Sequence, residues 1–309
     1  MQTPWGDIEL WDAHAHLFSG KFFRTLHSQR SDTDQTVEEM VAELGWEAPG
    51  SNADLAERWA AELESAGVER SVLMASVPDD EDSIGEVVAA RPDRFLGYFM
   101  FNPVASDAGV RVCRAFDELS LQGLCLFPAM GRFSVRDDAL KPLYRAAAEG
   151  PGRVVFVHMG VLTVGVRKKL GLPSIFDMTY SNPLDLHRVA LEYPEVQFVL
   201  PHFGAGFFRE ALMLCDLCPN VSLDTSSSNS WTKYLTPQPD LREVFRQALN
   251  VCGPERLLFG SDSSFFPRGW NRAVFEAQAQ ALKAIGASRQ DAEAIFGGNL
   301  RRLMKSERG

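Results

Sequence analysis

Val154-Val155-Phe156-Val157-His158-Met159-Gly160 carries four consecutive apolar residues, three of them β-branched, and then a histidine. A strand with one wet face alternates apolar and polar positions. A run that is apolar on both faces belongs instead to a parallel strand covered on both sides. Working outward, similar short runs recur at 8–13, 70–74, 95–101, 123–127, 197–200, 221–224 and 257–260, which with 154–157 makes eight. Helix patterns with polar starts and glycine stops lie between them. Asn52 and Asp54 precede 55–66 with Gly67 behind it, and Asp138 precedes 140–149 with Gly150 behind it. Eight strands alternating with helices predict an α/β fold of the (β/α)8 TIM-barrel type.

The chain has 309 residues, 45% of them hydrophobic, and no Pro/Gly/Ser-rich linker or repeat divides it. A single barrel domain over 1–309 is expected, with the long polar stretch 17–50 after the first strand as a loop insertion. That stretch, which contains Arg24 and His27, reads as a lid or pocket wall or, equally, as a surface excursion without a role. A net charge of −10 argues against nucleic acid or an anionic membrane as partner and leaves small molecules. The N-terminus shows no secretory pattern and no apolar run approaches the ~20 residues of a membrane span, so a cytoplasmic location is expected. Five scattered cysteines do not make a disulfide framework. Cys215-x-x-Cys218 lies in an apolar helical stretch with no second pair to complete a zinc site, so buried free thiols are expected.

Chemistry concentrates where strands end. In Asp12-Ala13-His14-Ala15-His16, residues two apart share a side of an extended chain, so both imidazoles can reach one ion. His158 closes the run at 154–157, His202 follows 198–201, and Asp262 closes 257–261. Each alone reads equally as a core or surface residue. In a TIM barrel, all five side chains converge on the mouth where active sites are built.

As an ordered set, DAHAH at 12–16, VFVHMG at 155–160, LPHFGAG at 200–206, LFGSD at 258–262 and GGNLRRLM at 297–304 resemble the amidohydrolase superfamily, specifically its amidohydrolase-related branch. That branch contains decarboxylases of aromatic and muconate-type acids, lactonases and related hydrolases. The resemblance implies His14, His16, His158 and Asp262 as metal ligands and His202 acting beside the metal. A binuclear site of this kind needs a carbamylated Lys or a Glu at the end of the fourth strand. Gly123-Leu124-Cys125-Leu126-Phe127-Pro128 offers neither, which implies one divalent ion, Zn2+ first with Mn2+ or Fe2+ as alternatives. Cys125 reads as a packed thiol rather than a ligand. Barrels of this family are often dimeric, so a homodimer is expected.

A bound divalent metal lowers the pKa of its water towards ~7. On that footing His202 and Asp262 are the catalytic candidates, the first orienting water or polarising a substrate oxygen, the second accepting the water proton. Asp12 supports the site or serves packing. The loop Ser263–Trp270 supplies Arg268 to clamp a carboxylate and Trp270 to hold a flat body, with Phe203, Arg132, Met159 and Phe127 as further mouth residues. Asn299, Arg301 and Arg302 read as fold stabilisation. The leading expectation is a metal-dependent hydrolase of a C–O or C–N bond in a small carboxylated molecule. Its rival is a non-oxidative decarboxylase of an aromatic or unsaturated acid, and a third reading is an inactive binding or scaffold barrel.

Overall fold

The computed structural model describes residues 1–30, 34–226 and 230–305. Eight parallel strands line up in chain order: β1 (Trp11–Leu17), β2 (Arg70–Ala75), β3 (Phe95–Phe99), β4 (Gly123–Leu126), β5 (Val154–Val157), β6 (Gln197–Leu200), β7 (Val221–Asp224) and β8 (Leu257–Leu258). The first and last strands meet through Ala13 N–H to Phe259 O at 2.8 Å, Asp262 N–H to His14 O at 2.9 Å and His16 N–H to Ser263 O at 2.7 Å. The expected α/β TIM barrel is therefore the fold. Its interior holds Val72, Met74, Leu96, Tyr98, Phe156, Val199 and Leu258, while a larger apolar layer separates strands from helices. Each such fully buried side chain contributes roughly 1.5–3 kcal/mol.

β1 lies further along the chain than the apolar run at 8–13, so the two histidines sit inside it rather than after it. The register against β2 shifts between Asp12 and Ala15. A bulge inserts one residue and re-aims the side chains that follow. Trp11 and Ala13 point into the barrel, Ala15 and Leu17 into the helix layer. His14 and His16 consequently face the mouth, whereas Asp12 turns towards Trp270 of the outer layer. Simple alternation puts Asp12 and His14 on one side; the bulge separates them.

The insertion at 17–50 is not a plain loop. It contains α1 (Gly20–Ser28), whose N-cap Ser19 accepts from Phe22 N–H, and α2 (Val37–Glu43), opened by a Thr36/Glu39 capping box. Residues 31–33 of that stretch lie outside the described residues. Phe22, Phe23, Leu26, Met40 and Val41 cluster with Val77 and with Val166 and Leu170 from the segment after β5. The insertion therefore forms a small second core over the C-terminal end of the barrel. α3 (Asn52–Ala66) then begins at a Ser51/Asp54 capping box and stops at Gly67, whose φ of 75° is the left-handed cap glycine supplies.

Cys125, Cys215, Cys218 and Cys252 are buried free thiols, as expected for Cys125, Cys215 and Cys218, and Cys113 at the end of the helix Ala108–Cys113 is exposed. Among the described residues no helix is long and apolar enough to cross a membrane.

Candidate metal centre

β1 and the turn after β8 bring three ligand atoms together. His14 Nε2 and His16 Nε2 are 3.3 Å apart, and Asp262 Oδ1 lies 3.3 Å from His16 Nε2 and 3.7 Å from His14 Nε2. Two donors ~2.1 Å from one tetrahedral ion stand about 3.4 Å apart, so this donor set fits a zinc-like cation. The far side of each ring fits as well. His14 Nδ1 is 2.5 Å from Asp224 Oδ2, which makes it the protonated nitrogen and leaves the Nε2 lone pair facing the site. His16 Nδ1 is 3.1 Å from Ser76 Oγ, whose own proton goes to Met74 O at 3.2 Å, so Ser76 accepts from His16 and the same tautomer follows.

Close approach and strained backbone make the triangle possible. A Cβ on Gly260 would stand 2.7 Å from His14 Cβ and 2.7 Å from Asp224 Oδ1, so only glycine lets the end of β8 pack against β1 here. Asp262 has φ of 55° and His202 φ of 57°, left-handed conformations that cost non-glycine residues of order 1–3 kcal/mol and gather at functional sites.

Burial would raise the Asp262 carboxyl, but the His16 hydrogen bond and the neighbouring His14 and His202 hold it well below the usual range. Burial would likewise lower His14, yet the Asp224 carboxylate carries it above its ordinary value. His16, His158 and His202 are all pushed down, chiefly by burial, and so favour neutral imidazole. Asp12 is pushed up to about 6 by burial. It accepts from His14 N–H at 2.9 Å, Ser261 N–H at 3.0 Å, the Ser261 hydroxyl and Trp270 Nε1–H at 2.8 Å, tying β1 to the loop after β8.

His158 and His202 face the same cavity. The His202 ring centroid is 5.0 Å from that of His14 and 5.2 Å from that of His158, and its Nδ1 lies 2.9 Å from Ser226 Oγ. Ser226 Oγ is also 2.9 Å from His14 Nδ1, so one hydroxyl links the two rings. His158 stacks on Phe127 at 5.5 Å, and its buried Nδ1 has no hydrogen-bond partner. It stands outside the three-residue group, whose ligand atoms all lie within 4.8 Å of one another.

The cavity above these groups measures about 340 Å³. Phe18 and Trp46 from the insertion and Phe265 from the loop after β8 give it a ring-lined wall. Arg268 lines it too, donating to Asp262 O at 3.1 Å and Ser264 Oγ at 2.9 Å with its guanidinium 4.6 Å from the Phe265 ring centre.

Phe127 lines the cavity too, whereas the remaining expected mouth residues lie elsewhere. Phe203, also left-handed at φ 52°, is turned fully into the helix layer against Phe208 and Phe245. Trp270 is buried against Phe259 and Phe275, with its indole N–H donated to Asp12. Arg132 reaches outward to Ile175 O at 3.1 Å and does not line the cavity. Met159 is likewise fully buried in the helix layer. The residues that sequence reasoning passed over are Asp224, Ser226, Ser76, Trp46 and Lys169. Asp224 had a signal, since it closes the seventh apolar run as Asp262 closes the eighth.

A family model described as Amidohydrolase matches residues 11–305. The protein fluG of Emericella nidulans is 36% identical over 88 residues, 28% of this chain, and that stretch is 10% of the length of fluG. An uncharacterised TIM-barrel protein from Bordetella bronchiseptica superposes with TM-score 0.65 at 19% identity, covering 96% of this chain and 98% of that one. A 5-carboxyvanillate decarboxylase from Novosphingobium aromaticivorans, with bound manganese and a nitrobenzoic acid, gives TM-score 0.63 at 14% identity over 97% of each chain. A probable 2-pyrone-4,6-dicarboxylic acid hydrolase from Acinetobacter baumannii, with citric acid bound, gives 0.60 at 13% identity over 96% and 99%. At these identities the solved structures share the fold.

Proposed function

This chain belongs to the amidohydrolase family, and from that premise we propose that it is a metal-dependent hydrolase of a C–O or C–N bond in a small carboxylated molecule. The observation that carries the reading is the cluster of His14 Nε2, His16 Nε2 and Asp262 Oδ1 at 3.3–3.7 Å, opening into a cavity that Arg268 also lines. These three residues, with His158 as the fourth, would hold one divalent cation, Zn2+ first, with Mn2+ or Fe2+ as alternatives. When bound, such an ion polarises an oxygen of the substrate and makes water a better nucleophile at neutral pH.

The chain's own groups do the rest. Asp262, held ionised by its histidine neighbours, takes the proton of the attacking water and returns it to the leaving oxygen or nitrogen. His202, anchored through Nδ1 to Ser226, presents its other ring nitrogen to the substrate. Arg268 offers its fork to the substrate carboxylate.

The ring-lined wall supports a second reading, decarboxylation of a planar acid by the same site. Trp46 and Phe265 stack at 4.3 Å and an interplanar angle of 14°, a surface suited to a flat body. We further propose a small-molecule partner rather than nucleic acid or membrane, a cytoplasmic location and a homodimer, the last to be sized by sedimentation.

The deciding experiment is metal-replete protein offered lactones, amides and unsaturated or aromatic acids in 18O water. Label entering the product supports hydrolysis. CO2 release without label overturns it in favour of decarboxylation. Protein that holds no Zn, Mn or Fe under these conditions overturns both and leaves a binding barrel.

A further inference from the structure

The cavity's charges are unbalanced in an informative way. The chain as a whole carries a net charge of −10, yet the Lys and Arg side chains that line this cavity, Lys169 and Arg268, face one carboxylate, Asp262, which belongs to the donor triangle. Arg268 spends its hydrogen bonds on a carbonyl and a hydroxyl. Lys169 ends the helix Gly165–Lys169 after β5, is exposed at the mouth, and has its ammonium 5.5 Å from the Trp46 ring centre and 5.9 Å from that of Phe265. Among the described residues no carboxylate stands within ion-pair distance of either cation.

Two cations without protein carboxylates, set around a ring-lined hollow of about 340 Å³, make a local positive field in an acidic protein. They come from different loops, after β5 and after β8, and both lie over the Phe265 ring. Phe265 is therefore a surface common to both, and a flat body lying along this wall has two cations near it.

We propose that Lys169 is a specificity-determining residue that reads a second anionic group, so that the preferred substrate is a flat, one-ring-sized dianion with one acid group at Arg268 and the other at Lys169. This rests on the carboxylate reading of the site above. Lys169 acts as a point charge on a flexible stem and so tolerates some variation in where the second acid lies, whereas Arg268 fixes the first with its planar fork.

The test is binding to the metal-loaded full chain of benzoate and of the three benzenedicarboxylate isomers, measured by calorimetry. In the native protein at least one dicarboxylate is expected to bind about fivefold tighter than benzoate, the upper end for an exposed ion pair. Lys169→Met, which keeps the aliphatic stem against the rings, brings that ratio to about one, and Lys169→Arg restores it. A native ratio near one, or an equal ratio in Lys169→Met, overturns the assignment of Lys169 while benzoate binding leaves the carboxylate reading standing. Metal-loaded protein that binds none of the four acids overturns that reading and this one together.

Discussion

The floor of the cavity is held by hydrogen bonds to carboxyl and hydroxyl groups, its roof by rings in contact. On the floor, His14 is fixed by Asp224 and Ser226, His16 by Ser76, and the loop carrying Asp262 by three bonds into Asp12. Over it, Phe18 stacks on Phe22 at 3.9 Å, Trp46 on Phe265 at 4.3 Å, and Phe18 lies 5.6 Å from Trp46. Hydrogen bonds to ionised acceptors are directional and roughly twice as strong as neutral ones. Ring contacts tolerate sliding and tilt at little cost. Directional bonds thus fix the donor groups more tightly than ring contacts fix the cavity wall.

The largest effect that would separate the two regions is loss of a floor ligand. His14→Ala removes one donor and also strands Asp224, a buried carboxylate, without its partner. Loss of metal from the purified variant is expected, with kcat/KM falling about a thousandfold, the rate that several kcal/mol of charge stabilisation carries. Retained activity would place the reaction somewhere other than this floor. Next comes Asp224→Ala, which leaves all three donors in place but frees the His14 ring. Metal affinity should drop about 10- to 100-fold in competition with a chelator. An unchanged affinity would mean that the bracing does not hold the ion.

The floor was largely legible in the sequence and the roof was not, for reasons seen at individual residues. Strands apolar on both faces end in His158, His202 and Asp262, and in a parallel barrel every such end points to one mouth, so local pattern sufficed. It failed for Asp12, because a bulge is a pairing event with β2 that leaves no mark in composition. It failed for Phe203, because a left-handed turn sends adjacent residues to opposite sides. The roof depends on contacts between distant segments. α1 and α2 are short, and what stabilises them is Val166 and Leu170, more than a hundred residues downstream. Lys169 likewise becomes a cavity residue only when its helix meets the insertion.

Smaller effects sharpen the comparison. Trp46→Ala removes a half-buried ring that touches Phe18, Phe23 and Phe265 but none of the donors. KM for the substrate should rise about tenfold while kcat and metal content change little, because this is binding shared by ground and transition states. A fall in kcat of the same size would show that the roof also positions the reacting atoms, and the division between the two regions would be wrong.

The smallest expected effect tests the floor against itself. Ser76 and Asp224 perform the same task on neighbouring rings, each accepting a hydrogen bond from a histidine Nδ1–H, but one is a neutral hydroxyl and the other a buried carboxylate. The carboxylate also raises the electron density its imidazole offers a cation, which a hydroxyl does far less. Ser76→Ala removes one neutral hydrogen bond, ~1 kcal/mol, and should weaken metal binding about fivefold. Of the two variants, Asp224→Ala must therefore be the worse. If chelator competition instead ranks Ser76→Ala as equal or worse, charge is not what holds the floor; ring orientation alone is, and both braces act as the roof does, by fit.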